Sequence, residues 1–217
     1  MKTAAIFDLD GTILDRSSER AFFLYLFTHG EISLNDLLTW AGYFIKRAYV
    51  VSYAQAAKAN KMYLRNKPYA KVCKLASNCF SEKLVDRISS YAVAEIECHR
   101  RAGRCLILLS GTLDFLLERF MHHLDMDWMV GTSVEVQDDV FTGRVSGLYP
   151  FGEAKALIAR QIADQHEISL SESYGYANSF SDVPFLNTVG HPIAVNPDSR
   201  LSQHAKEHNW KIVSFRK

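Results

Sequence analysis

The run Ala4-Ala5-Ile6-Phe7, followed at once by Asp8-Leu9-Asp10-Gly11-Thr12, most constrains what this chain can fold into. Four apolar residues after a basic start read as a short buried strand. On an extended strand, side chains two apart point the same way. Asp8 and Asp10 therefore project together from the strand's C-terminal end, where open α/β sheets hold their ligands. Paired carboxylates repel each other and are costly to bury without a cation. The pair suggests a hard divalent ion, most simply Mg²⁺, with one carboxylate left for covalent chemistry. A calcium loop would need further acidic ligands at fixed offsets, and Ile13-Leu14 follow instead. An ordinary Asp-Gly turn at a strand end stays open for this motif alone.

At 217 residues the chain suits one core domain with an insertion. Hydrophobic residues make up 48%, charged residues 23%, and the net charge is +1, so overall charge says nothing about partners. Asp8 and Asp10 interrupt any signal-like start, and no uncharged stretch reaches the ~20 residues that span a bilayer. Cys73, Cys79, Cys98 and Cys105 lack Cys-x-x-Cys spacing, so zinc is not expected. Reduced thiols and a cytoplasmic location are the default expectation.

Ala4 to Phe7, Cys105 to Leu109 and Ile193 to Val195 read as buried strands of a parallel sheet. Glu172 to Ala177 is a fourth candidate, and Ile212 to Phe215 a possible edge. Helical spacing predicts helices over Ser81 to Arg101, with Gly103 as a stop signal, Leu113 to His123 and Glu153 to His166. The alternation predicts an α/β fold: a doubly wound, Rossmann-like parallel sheet core. Valines flanking Asp138-Asp139 predict a β-hairpin. Residues 16–95 fall outside the alternation and read as an inserted all-helical cap, leaving 1–15 and 96–217 as the core domain.

From Leu37 to Ser81 the sequence has no Asp or Glu. It carries Lys46, Arg47, Lys58, Lys61, Arg65, Lys67, Lys71 and Lys74 among Trp40, Tyr43, Phe44, Tyr49, Tyr53, Tyr63, Tyr69 and Phe80. Near-neutrality of the whole thus hides a basic, aromatic insertion.

Three further places can carry chemistry. Ser110-Gly111-Thr112 follows the second strand; its hydroxyl and the backbone N–H groups after it could hold phosphate, or Ser110 could simply cap a helix. Lys155 sits in the first turn of a helix, where the dipole disfavours a cation. A phosphate clamp would explain it, as would a solvated surface lysine. Asn178 and Asp182 could both reach a cation at the sheet's C-terminal edge, or serve as turn and cap residues.

Taken together, Asp8-Leu9-Asp10-Gly11-Thr12, Ser110, Lys155 and Asn178 to Asp182 resemble, in order and spacing, the four motifs of the haloacid-dehalogenase-like phosphatases. The phrases Thr142-Gly143-Arg144, Phe151-Gly152-Glu153-Ala154-Lys155, Ser181-Asp182-Val183-Pro184 and Gly190-His191-Pro192-Ile193-Ala194-Val195-Asn196-Pro197 are similar to the phosphoserine-phosphatase-like branch, whose members carry a helical cap. The resemblance implies that Asp8 attacks phosphorus to form an aspartyl-phosphate and that Asp10 serves as acid, then base. It implies phosphate binding by Thr12, Ser110, Gly111 and Lys155. It implies Mg²⁺ held by Asp8, the Asp10 carbonyl, Asn178 and Asp182. The family usually has Asp where this chain has Asn178, which implies weaker Mg²⁺ binding here.

Caps in that branch choose the substrate. Glu19 and Arg20 lie near the place where phosphoserine phosphatases read the amino acid, with a different spacing. The expected function is hydrolysis of a small phosphorylated metabolite such as phosphoserine or histidinol phosphate. A second expectation is a phospholipid-headgroup phosphatase, its basic aromatic cap resting on an anionic membrane surface. A third is a non-catalytic anion-binding protein on the same fold. No nucleic-acid motif accompanies the basic cap, so nucleic acid is not expected as a partner.

Overall fold

Strand β1, Ala4–Phe7, is buried on both faces, and its neighbours explain why. It pairs in parallel with β2, Cys105–Leu113, on one side and with β5, Tyr174–Ala177, on the other. The computed structural model describes residues 1–48 and 61–216, with side chains described outside 43–60. Of the basic aromatic stretch, Tyr49, Tyr53 and Lys58 lie outside the described residues, as do the side chains of Tyr43, Phe44, Lys46 and Arg47.

The remaining strands are β3 (Trp128–Gln137), β4 (Val140–Ser146), β6 (His191–Val195) and β7 (Lys211–Val213). They complete a seven-stranded sheet in the order β4-β3-β2-β1-β5-β6-β7, with β4 alone antiparallel. The strand order reverses at β1, so β1 marks the topological switch point, where such sheets bind ligands.

Period-two alternation divides the core into two layers. Ala5, Phe7, Leu106, Leu108, Tyr176, Ile193 and Val195 face one side; Ala4, Ile6, Ile107, Leu109, Ala177 and Ala194 face the other. The first face is covered by α4 (Ser90–Arg101) and α5 (Asp114–His123), the second by α6 (Glu153–His166), α7 (Val183–Leu186) and α8 (Ser199–Glu207). A doubly wound α/β core results. No described helix is long and apolar enough to cross a membrane.

The inserted segment carries α1 (Ser18–Thr28), α2 (Leu34–Ala48) and α3 (Tyr69–Cys79). Phe22, Leu26, Tyr63, Leu64, Val72 and Ala76 join the first-face cluster, so the insertion packs as a continuation of that core. The chain leaves and re-enters the core at one place, where Leu14 pairs with Ile88.

That crossing breaks the helix predicted over Ser81 to Arg101. Ser89 N–H donates to the Ile13 carbonyl at 3.0 Å, which requires extended backbone just where helical spacing runs on. Ser89 Oγ then accepts from Ala92 N–H and caps α4, which ends as expected with Gly103 at φ +70°. The hairpin forms on a two-residue turn, with Asp138 and Asp139 at φ +49° and +62°, the signature of the tight turn that matches strand twist. Its outer strand pairs with the insertion: Phe141 N–H donates to the Lys67 carbonyl at 2.9 Å and Asn66 N–H to the Phe141 carbonyl at 2.8 Å.

Candidate active site

Four loops meet beyond the C-terminal ends of the strands, around a cavity of about 290 Å³. Asp8, Asp10, Ser110, Gly111, Lys155, Asn178 and Asp182 all line it. Thr12 does not. It is buried behind the wall, and its Oγ1 has no hydrogen-bond partner.

Asp8 extends β1, its N–H donating to the Tyr176 carbonyl at 2.9 Å. Gly11 then turns the loop at φ +78°. A Cβ there would lie 2.1 Å from Asn178 Nδ2, so only glycine lets this loop close on the Asn178 loop. Asp10 folds back to the insertion and accepts from Ser18 N–H at 2.9 Å. Burial is the main cause that pushes its carboxyl up to about 7; Ser18 opposes this, and the charges of Asp8 and Glu19 add to it.

Ser110 does not cap a helix. Strand β2 continues to Leu113, and α5 begins only at Asp114. The β2–β3 ladder pairs Leu109 with Val130 and resumes at Leu113 with Thr132, four residues on against two. Ser110 to Thr112 therefore bulge out of the ladder toward the cavity. Thr112 ties this bulge to the insertion, its Oγ1 lying 3.2 Å from Ser110 Oγ and 2.9 Å from Ser18 Oγ.

Lys155 is 2% exposed, which rules out the solvated surface lysine. Its Nζ lies 3.0 Å from Asp182 Oδ1 and 3.2 Å from Asp8 Oδ1. Burial pulls the ammonium down, but Asp182 and Asp8 together outweigh it and hold the lysine above its ordinary value. Asp182 makes no side-chain cap bond to α7, so its carboxylate points to the cavity rather than serving the helix. Asn178 is held through its carbonyl, which accepts from Asp198 N–H at 2.9 Å.

Sequence reasoning names Glu19 as near the substrate but misses Ser17, Tyr149 and Pro150; with Thr112, Phe151, Ser179 and Ser181 they complete the wall. Glu19 accepts from Lys61 Nζ at 2.6 Å and from the Tyr63 hydroxyl at 3.1 Å. Lys61 is fully buried and lies 5.7 Å from the centre of the Tyr149 ring. A lysine inside a run without acidic residues was the available signal, because its counter-charge had to come from another segment. Arg20 is not on the wall.

A larger groove of about 560 Å³ holds Glu95, Tyr174, His191 and Lys211 at the N-terminal ends of the strands. It lies opposite the switch point and has no buried lysine–carboxylate cluster, so the smaller cavity carries the chemistry.

The oxygen donors of Asp8, Asp10, Asn178 and Asp182, with no histidine or thiol beside them, suit Mg²⁺. A doubly wound core, an acid–lysine cluster at its switch point and a helical insertion above it define a class of hydrolase. Residues 5–187 match the haloacid dehalogenase-like hydrolase family, and the chain belongs to it. It is 33% identical to an inhibition of morphological differentiation protein of Streptomyces azureus, over 99% of this chain and 79% of that one. It is 29% identical to a histidinol-phosphatase of Neisseria meningitidis serogroup C, over the whole of both chains. It is 28% identical to a phosphoserine phosphatase of Mycobacterium tuberculosis, over 100% of this chain and 72% of that one. In structure it is similar to a protein of unknown function from Bordetella pertussis Tohama I (TM-score 0.86, 24% identity, all of both chains). A phospho-aspartyl intermediate analogue of a phosphoserine phosphatase gives a TM-score of 0.67 at 19% identity, covering 100% of this chain and 94% of that one.

Proposed function

We propose that the protein is a Mg²⁺-dependent phosphomonoesterase that cleaves a small phosphorylated metabolite through an aspartyl-phosphate on Asp8. The observation that carries this reading is the buried Lys155 ammonium shared by Asp8 and Asp182, beside an Asp10 carboxyl raised to about 7. The family match and the phosphatase relatives support it.

An Asp8 carboxylate oxygen attacks phosphorus as the ester P–O bond breaks. Asp10, protonated near neutral pH, delivers its proton to the leaving oxygen and becomes the base for the second step. It takes a proton from water as that water attacks phosphorus, releasing phosphate and restoring Asp8. Ser110, the bulged backbone at Gly111 and Lys155 bind the equatorial oxygens, where transition-state charge gathers. Asp8, the Asp10 carbonyl, Asn178 and Asp182 would hold Mg²⁺, whose charge would offset those of the phosphate and the nucleophile. The segment inserted between Leu14 and Ile88 acts as the cap that shields this chemistry from water.

Glu19, on the cavity wall with the buried Lys61 behind it, gives the roof an anionic group, which suits a small substrate bearing an amine. Phosphoserine and histidinol phosphate are the first candidates. The test is phosphate release from a panel of monoesters, with and without Mg²⁺. Asp8→Asn should abolish turnover while keeping the fold; turnover that survives in this variant overturns the aspartyl-phosphate route.

The exposed apolar side chains of the insertion favour a second reading, a phosphatase of lipid headgroups. Leu34 is 80% and Leu38 72% exposed on α2, and Leu24 and Phe27 are exposed on α1. Cosedimentation with anionic vesicles, and turnover of lysophosphatidate above that of soluble esters, would support it. Neither behaviour is expected of the metabolite phosphatase.

A further inference from the structure

The last turn of α8 and the residue that caps it read His204-Ala205-Lys206-Glu207-His208. Spacings of three and four put His204, Glu207 and His208 on one helical face. One donor atom from each lies within 4.8 Å of the other two, the one such trio of His, Cys, Asp or Glu side chains among the described residues. We propose that this trio is a second metal site, distinct from the Mg²⁺ site of the cavity, for a late first-row divalent cation, with zinc foremost.

The hydrogen bonds prepare the ligands. His208 Nδ1 lies 2.9 Å from the His204 carbonyl oxygen. A carbonyl only accepts, so Nδ1 carries the proton and Nε2 keeps the free lone pair, as metal-binding imidazoles require. Glu207 is oriented by Gln203, whose Nε2 donates to it at 2.9 Å. His204 Nε2 is buried with no hydrogen-bond partner, a rare state for a polar atom and one the apoprotein leaves uncompensated.

The rings are also held in place before any ion arrives. His204 and His208 lie side by side, centroids 4.0 Å apart and planes at 26°. Trp210 packs edge-on to His204 at 4.9 Å and Phe180 at 5.9 Å. Stacked rings hold their nitrogen lone pairs nearly parallel, so an ion would turn one ring about its side-chain torsions to take both. Glu207 and His208 are exposed, so the ion has a path from solvent.

Donor chemistry sets the choice of ion. Two imidazoles and one carboxylate suit Zn²⁺, Cu²⁺ or Ni²⁺, whereas Mg²⁺ prefers an oxygen-only shell. Three protein ligands leave a fourth position for water. Cysteine spacing gave no reason to expect zinc, and this trio uses no cysteine.

The test titrates Zn²⁺ against a chromophoric chelator on the full chain in saturating Mg²⁺, with Co²⁺ absorption spectra in parallel. The variants are His208→Ala, Glu207→Gln and, as a neighbouring control, Lys206→Ala, each checked for fold by circular dichroism. One equivalent of Zn²⁺ should bind to the wild type and to Lys206→Ala. Affinity should fall at least about tenfold in His208→Ala. If that variant does not fold, weakened binding in Glu207→Gln carries the same expectation. Affinity equal to wild type in a folded His208→Ala overturns the site, as does a Co²⁺ spectrum with thiolate charge-transfer bands. Failure here leaves the phosphatase reading untouched, because that rests on Asp8 and the cavity.

Discussion

Replacing Lys155 with Met keeps side-chain length and removes the one charge placed between Asp8 and Asp182. All three groups are buried, so the variant leaves two carboxylates facing each other without a counter-ion. Breaking a buried pair in this way costs about 3–5 kcal/mol, because an uncompensated charge stays in the interior. For a chain of this size each kcal/mol lowers the melting temperature by about 2–4 °C, so Lys155→Met should melt roughly 6–20 °C below wild type in EDTA. Mg²⁺ binding at the same carboxylates would replace the lost charge and should recover part of the deficit, by about 2.7 kcal/mol at a hundredfold excess over its Kd. Activity should not recover, since the clamp on the phosphoryl oxygens is gone; a loss of about 10²–10³ in kcat is expected. Calorimetry with and without Mg²⁺, beside a phosphate-release assay, reads both effects. A variant melting within about 2 °C of wild type in EDTA would refute the buried-pair reasoning. So would a loss of stability that Mg²⁺ leaves unchanged.

Three other outcomes follow from the geometry. His99 is buried against Tyr176, its Nε2 2.6 Å from the hydroxyl, and burial followed by the Arg104 charge lowers its pKa to about 4. Between the ordinary value of 6.5 and 4 the unfolded chain binds a proton that the folded chain does not. Stability should therefore rise with pH across that window, by about 3 kcal/mol, and urea unfolding of His99→Gln should lack this slope; identical slopes would sink the assignment. Asn178→Asp adds an anionic donor to the cavity and should lower the Mg²⁺ needed for half-maximal rate about tenfold, or ~1.4 kcal/mol. An unchanged Mg²⁺ requirement would separate Asn178 from the metal. Gly11→Ala places a Cβ against Asn178 at positive φ and should destabilise the protein by about 1–3 kcal/mol while severely reducing turnover; wild-type kinetics would show that the two loops need not touch.

Local chemistry was enough to specify much of this protein. The apolar run before Asp8 read as a buried strand, Asp138-Asp139 matched a two-residue turn, and Glu153 to His166 carried its helical period from end to end. Such features depend on a few neighbouring residues, which is what a sequence displays directly. Asp8, Asp10 and Ser110 were legible for a related reason: residues at the ends of parallel strands meet where the sheet reverses its order. Lys155 and Asp182 were legible from the order and spacing of the motifs.

The tertiary structure decided what depends on partners distant along the chain. The bulge at Ser110 to Thr112 follows from pairing with β3, and the break at Ile88-Ser89 from pairing with Ile13 and Leu14. Thr12 is buried off the cavity wall, although Asp10, two residues before it, lies on that wall. In the sequence Lys61 is one of eight positive charges in a basic run; in the structure it is buried against Glu19, from another segment. Desolvation and pairing are set by the whole fold, so charge in a sequence names the candidates, and only packing shows which of them are buried together.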